Sequence, residues 1–177
     1  MEFVKVTEIE HYTNTLFRFK TERPSTFRFT AGEFIMVSMG DNNISRAYSL
    51  TSGPYDEYLE FYSIKVPDGP LTSRLQNIEI GDSIAIGTKP TGTLTLANLD
   101  LGGNLWLLAT GTGIAPFISL LRDPYTYDAF DSIRVIWSVR YPKELEAYHQ
   151  FLKDQDILYT PTVTRDSGWQ GMNKRIT

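Results

Sequence analysis

Apolar and polar residues alternate with a period of two through the first half of the chain, and turn residues interrupt the alternation at short intervals. Val4, Val6 and Ile9 begin the pattern and residues 16–20 continue it. Residues 34–39, 48–50, 59–66 and 83–86 are further strand candidates. Turn formers lie between them: Thr30-Ala31-Gly32, Ser52-Gly53-Pro54, Pro67-Asp68-Gly69-Pro70 and Gly81-Asp82. Short strands at this spacing predict an antiparallel barrel or sandwich, and closure as a barrel leaves no strand edge open. A short helix is expected over 71–77, just after the Asp-Gly turn.

Past Gly102 the period changes. Residues 105–109 are apolar throughout, as in a parallel strand covered by helices on both faces. Ile114, Phe117, Ile118 and Leu121 then recur at helical spacing, with Pro116 in the first turn where a missing amide costs little. Residues 133–139 read as a second buried strand. Residues 143–153 read as a helix with Leu145, Tyr148 and Leu152 on one face. Residues 157–163 read as a third strand, in which Pro161 weakens the hydrogen bonding. Strand, helix, strand, helix, strand is the beginning of a doubly wound sheet. The glycine-containing stretch 98–103 is the expected linker, dividing the chain into 1–98 and 99–177.

Composition narrows the field. Of 177 residues, 41% are hydrophobic and 21% charged, enough for a real core. A formal charge of -4 is not that of a nucleic-acid binder, and no apolar run reaches the length of a membrane span. Met1-Glu2-Phe3-Val4-Lys5 enters alternating sequence directly, without the basic-then-apolar pattern of a secretory leader. There is no cysteine, hence no disulfide, thiolate nucleophile or cysteine-held cluster, and with only His11 and His149 no multi-histidine metal site is expected. The expectation is a cytoplasmic protein with neither a membrane nor a nucleic acid as partner.

Four segments carry chemistry. Arg46-Ala47-Tyr48-Ser49 combines a cation, an aromatic face and a small hydroxyl. Arginine's donor fork pairs with a pyrophosphate, a tyrosine ring lies flat on a redox ring system, and a serine reaches a ring nitrogen. The alternative is a plain strand with an exposed arginine. Gly111-Thr112-Gly113, between a buried strand and a helix, lets amides approach a phosphate, or is a tight turn with no ligand. It is neither a Walker loop nor GxGxxG. Arg140 and Arg165 follow successive strands, where ligands of open α/β sheets sit; together they can grip an extra phosphate, such as the 2′-phosphate of NADP, or each is a surface charge. In Pro67-Asp68-Gly69-Pro70-Leu71-Thr72-Ser73, amides and hydroxyls hold a second phosphate, or the turn is a hairpin with an N-cap. Tyr62 and Lys65 line that ligand, or alternate in and out of the barrel.

In order and spacing, Arg46-Ala47-Tyr48-Ser49, Lys65-Val66-Pro67-Asp68-Gly69-Pro70-Leu71-Thr72-Ser73, Gly111-Thr112-Gly113-Ile114-Ala115-Pro116-Phe117 and Val163-Thr164-Arg165-Asp166 resemble the bacterial ferredoxin/flavodoxin–NADP⁺ reductases, from about Val4 to Arg175. The resemblance implies an N-terminal antiparallel FAD-binding β-barrel and a doubly wound parallel-sheet domain for NADP(H). It implies that Arg46, Ala47, Tyr48 and Ser49 bind FAD, with Tyr48 and Ser49 at the reactive ring. Tyr62, Lys65, Val66 and the turn of Pro70, Leu71, Thr72 and Ser73 complete that site. Gly111, Thr112 and Gly113 lie near both nucleotides, and Arg140, Thr164, Arg165 and Arg175 contact NADP(H). The implied partner is ferredoxin or flavodoxin, the implied state a monomer, and the cofactors carry the redox chemistry. Members of the family run beyond position 177 with further strands and a Cys-Gly motif, so a C-terminally truncated form with an incomplete nucleotide sheet is expected. Lys174-Arg175 stands where the family has Gly-Arg. The rival readings are a free-flavin or oxygenase-type reductase and a non-catalytic FAD-binding module.

Overall fold

The alternating half folds as six antiparallel strands in the computed structural model, which describes residues 1–40 and 44–176. They are β1 (Glu2–His11), β2 (Leu16–Glu22), β3 (Phe34–Ser38), β4 (Ser45–Ser49), β5 (Tyr58–Ile64) and β6 (Ser83–Ile86), in the order β4-β3-β6-β1-β2-β5. The inward positions of the alternation form the barrel core: Val4, Val6, Phe17, Phe19, Ile35, Val37, Leu59, Phe61, Ile84 and Ile86 are all buried. Phe19 stacks between Phe17 and Phe61, at 5.8 and 4.9 Å between ring centroids. Each such side chain contributes about 1.5–3 kcal/mol by leaving water. The short helix α1 (Thr72–Leu75) closes one end with buried Leu75. The barrel is not closed by a continuous ladder. Among the described residues, the backbone pairing between the β4 and β5 edges consists of the Leu50–Phe61 bridge and the neighbouring Thr51 N to Glu60 O bond of 2.9 Å.

The second half forms a parallel sheet, β7 (Asn104–Thr110), β8 (Ser132–Val139) and β9 (Leu158–Val163), in register from Asn104 opposite Ser132 and from Arg134 opposite Leu158. Pro161 is accommodated because β9 is an edge strand among the described residues. Helix α2 (Ala115–Leu121) carries Pro116 in its first turn as expected. Helix α3 (Pro124–Ala129) was not legible from periodicity; Asp123 starts it, its carboxylate accepting from Tyr125 N at 3.1 Å.

Two expectations need correction. Residues 143–153 are not one helix but a 3₁₀ turn (Pro142–Leu145) and a short helix α4 (His149–Lys153). Tyr148 leaves helical geometry (φ -138°, ψ 1°) as its phenol donates to the buried Glu60 carboxylate at 2.9 Å. Leu145, Tyr148 and Leu152 are nonetheless all buried. Strand β7 is covered on one face only: Leu105, Leu107 and Ala109 are buried, whereas Trp106 and Leu108 are 54% and 49% exposed. No described element packs over that outer face, where Arg134 lies 5.0 Å from the Trp106 ring.

The turn and helices on the covered face of the sheet pack against the barrel, through the 3₁₀ turn after β7, α2 and Tyr148. One continuous core joins Tyr12, Leu16, Ala31, Tyr62 and Leu96 of the first half to Leu107, Ile118, Trp137, Leu145 and Tyr148 of the second. The two halves therefore meet across a buried seam, and a cavity opens at its edge.

Candidate functional site

The quartet Arg46-Ala47-Tyr48-Ser49 occupies β4, paired from Val37–Arg46 to Phe34–Ser49 with β3. Arg46 and Ala47 are exposed, while Tyr48 and Ser49 are half-buried. The Arg46 guanidinium donates to Ser45 O at 2.8 Å, and the residue is exposed. The Tyr48 ring stands edge-on to Phe61 at 6.3 Å, and its phenol oxygen accepts from Ser63 Oγ at 3.4 Å. Burial raises its pKa, so the phenol stays protonated. Ser63 is followed by Ile64 and Lys65, which line the cavity, so β5 carries the chain from the quartet to the cavity wall.

Residues 66–73 fold back on themselves. Val66 O accepts from Gly69 N at 3.0 Å and from Thr72 Oγ1 at 3.2 Å, and Leu71 is buried. The helix that follows has Leu71 at its N-cap with no side-chain cap bond, so the N-cap alternative for this turn does not hold.

The glycine turn is a 3₁₀ segment, Gly111–Ile114, running from the end of β7 into α2. Gly111 has φ 51°, a left-handed conformation that costs L-residues about 1–2 kcal/mol. A Cβ on Gly111 or Gly113 would meet no atom within 4 Å, so open space lies over these amides. The turn is pinned from below by Trp137 on β8, whose indole N–H donates to Gly111 O at 2.8 Å.

The cavity, about 650 Å³, lies where the carboxyl ends of the parallel strands face the barrel. Thr15, Leu16, Ile64 and Lys65 form the barrel wall; Thr110, Gly111, Thr112, Ser138, Val139, Arg140, Glu144, Thr164, Arg165, Arg175 and Ile176 form the other. Sheet register makes the second wall: Thr164 N donates to Val139 O at 3.0 Å and Arg165 N to Arg140 O at 2.9 Å, so the two arginines leave adjacent strands side by side. The Glu144 carboxylate accepts from Arg140 N at 2.6 Å and Tyr141 N at 3.2 Å, closing the turn that carries Arg140. Four cations, Lys65, Arg140, Arg165 and Arg175, thus line a space with one carboxylate, Glu144, which is a setting for a polyanion.

The cavity gathers Lys65, Gly111, Thr112, Arg140, Thr164, Arg165 and Arg175 from the residues singled out in the sequence. It does not include the β4 quartet, Val66, the 70–73 turn or Gly113. Nor does it include Tyr62, which is 4% exposed and packed edge-on to Tyr12 and Tyr148 within the seam. Thr15, Leu16, Thr110, Ser138, Glu144 and the supporting Trp137 were missed. Of these only Glu144 has a local signal, since a carboxylate three residues into a Pro-started turn is a capping pattern. Among the described residues no three His, Cys, Asp or Glu side chains are grouped to hold a metal, and no helix is long and apolar enough to cross a membrane.

Comparison with known proteins places this geometry. Residues 1–95 match the oxidoreductase FAD-binding domain and residues 102–160 the ferric reductase NAD binding domain. The chain is 48% identical over 176 residues to a flavodoxin/ferredoxin–NADP reductase of Rhodobacter capsulatus, covering 91% of this chain and 65% of that protein. It is 43% identical to a ferredoxin–NADP reductase of Azotobacter vinelandii, covering 92% of this chain and 69% of the relative. The crystal structure of a Neisseria gonorrhoeae ferredoxin NADP⁺ reductase with bound FAD and NADP superimposes with a TM-score of 0.92 at 32% identity, covering 99% of this chain and 73% of the other. The chain spans about two thirds of the length of these relatives.

Proposed function

The chain belongs to the ferredoxin/flavodoxin–NADP reductase family, and on that premise we propose that it binds FAD and NADP(H) and passes electrons between NADPH and ferredoxin or flavodoxin. The observation that carries the reading is the cavity: one wall comes from each half of the chain, and its four cations surround an open glycine turn. When bound, the flavin supplies the conversion between hydride and single-electron chemistry, and the protein supplies binding and orientation.

The residues present fit both nucleotides. Arg46 has an exposed guanidinium fork for the FAD pyrophosphate, Tyr48 offers a ring face for the flavin, and Ser49 a hydroxyl for its reactive nitrogen. Ala47 is exposed and small, leaving room beside them. The turn of Pro70, Leu71, Thr72 and Ser73, with Val66 beside it, holds the FAD phosphates through the Leu71 and Thr72 amides and the Ser73 hydroxyl, Pro70 shaping the turn and Ser73 N donating to Gly69 O. Lys65 reaches the same ligand from the cavity wall, and Tyr62 supports the flavin from the seam. Gly111, Thr112 and Gly113 give both nucleotides a close backbone approach. Arg140, Arg165 and Arg175, with the Thr164 hydroxyl, hold NADP(H), and the adjacent pair Arg140 and Arg165 favours the additional phosphate of NADP over NAD. No side chain is required as acid or base. Residues 1–98 form the FAD part and 99–177 the NADP(H) part. A monomer suffices because one chain supplies both walls, and the cytoplasm is the compartment this reading implies.

The test is spectroscopic. The purified chain is expected to be yellow, and its flavin absorbance to bleach anaerobically on adding NADPH. Bound flavin that NADPH leaves oxidised would replace this reading with a non-catalytic FAD module. No flavin uptake would remove both. Supplying ferredoxin, flavodoxin or free flavin as acceptor then separates the carrier reductase from a free-flavin reductase.

A further inference from the structure

A buried carboxylate outside the cavity ties the two halves of the chain together. Glu60, on β5, is 0% exposed. Its Oε1 accepts from Thr51 Oγ1 at 2.9 Å in the barrel half, and from Arg122 Nη1 at 3.0 Å and the Tyr148 phenol at 2.9 Å in the other half. Its Oε2 faces the barrel cations Arg18, 3.8 Å away, and Lys20, 4.0 Å away. Arg122 caps the C-terminus of α2 and Tyr148 the N-terminus of α4, so each helix of the second half nearest the seam ends on this one carboxylate. Arg122 also donates to Thr51 O at 3.0 Å, and Ser119 Oγ to Ser52 O at 2.7 Å. The other carboxylates near these cations, Glu8, Glu10 and Asp56, are all partly exposed.

Apart from these bonds and the Tyr62 phenol, which donates to Glu144 O at 3.3 Å, the seam is apolar and aromatic, and such packing is non-directional. Charge-assisted hydrogen bonds are directional, and their donors come from both halves. The cavity walls belong to those same halves, so the angle between the sheets sets the distance from Lys65 to Arg140 and Arg165.

We propose that Glu60 is a positioning residue: through Arg122 and Tyr148 it holds the nucleotide half at a fixed angle to the barrel, and so sets the approach of NADPH to FAD. This rests on the functional reading above, although the geometric part can be tested without it.

Because the chain has no cysteine, Thr26→Cys and Asp128→Cys place two spin labels on exposed sites of opposite halves with no background. The unsubstituted pair is expected to give one narrow distance distribution by electron–electron double resonance, and Glu60→Gln to broaden it. Tyr148→Phe, which keeps the ring and deletes one hydrogen bond, is expected to broaden it less and serves if Glu60→Gln fails to fold. An unchanged distribution in a folded variant overturns the proposal. In stopped-flow bleaching at saturating NADPH, Glu60→Gln is expected to slow flavin reduction about 10- to 100-fold, the scale of a misplacement of about 1 Å. FAD stoichiometry and NADP⁺ affinity are expected to stay within about twofold, since the defect is in approach and not in either binding surface. Weakened NADP⁺ binding with an unchanged reduction rate overturns positioning. Failure of NADPH to bleach the unsubstituted protein refutes the reductase reading alone, and the spin-label distances still decide the role of Glu60.

Discussion

Gly111 and Gly113 sit two residues apart in one turn, yet alanine at the two positions is expected to act in opposite directions. Gly111 has φ 51°, and a Cβ there meets no atom within 4 Å, so the cost of Gly111→Ala is the backbone's alone, about 1–2 kcal/mol. Gly113 lies in the same 3₁₀ turn without a positive φ, and its Cβ also meets nothing within 4 Å. There alanine stabilises by about 0.4–1 kcal/mol by restricting the unfolded chain. For a chain of this size each kcal/mol shifts Tm by about 2–4 °C. Calorimetry without added nucleotide should therefore show Tm lowered by about 2–8 °C for Gly111→Ala and raised by about 1–4 °C for Gly113→Ala. Gly111 also lines the cavity, so its new methyl occupies the space through which a phosphate reaches the turn. Loss of one such hydrogen bond is expected to weaken NADP⁺ binding about tenfold or more by titration calorimetry. Tm shifts of the same sign would refute the backbone argument. Unaltered NADP⁺ affinity in Gly111→Ala would refute the phosphate cradle.

Arg140→Ala and Arg165→Ala should each remove a charge-assisted contact of about 1.5–3 kcal/mol, weakening NADP⁺ about 10-fold or more while NAD⁺ affinity stays nearly constant; equal loss for both nucleotides would contradict recognition of the extra phosphate. Acid should destabilise the protein in two stages. Burial and Lys65 hold His11 below its ordinary 6.5, and burial and Lys153 do the same for His149, so the folded state takes up fewer protons and this stability is lost as pH falls below about 6.5. The Lys20 hydrogen bond lowers Glu8 below 4.5, and that contribution goes in the same direction at lower pH. Tm measured against pH checks the sign: a rise between pH 7 and 5.5 would contradict it.

How much was legible follows from how far apart the interacting residues lie. The β4 quartet, the glycine turn and the arginines after β8 and β9 could be read because strand, turn and strand end are local patterns. Glu144 lay within reach of local reasoning as a capping carboxylate. Thr15 and Leu16 did not: they join the cavity because Lys65 N donates to Thr15 O at 2.7 Å, a pairing across fifty positions of chain. Trp137 reads as one more apolar strand residue until its indole is seen beneath Gly111.

The sequence alone determined the order of the strands and where most helices fall, though not α3 or the break within 143–153, since period-two alternation, continuous apolar runs and Gly or Pro punctuation act through neighbouring residues. It also determined which residue types were available for two nucleotides. Tertiary structure decided what covers what. Alternation places Glu60 outward from the barrel, and only the docking of the second half over β5 buries it, with β5 covered on both sides from Leu59 to Ser63. The same docking bends 143–153 out of a single helix to bring Tyr148 to that carboxylate, and leaves Trp106 and Leu108 on the uncovered face of β7. Burial is a property of packed surfaces, and no periodicity within one strand records which surface another part of the chain will cover.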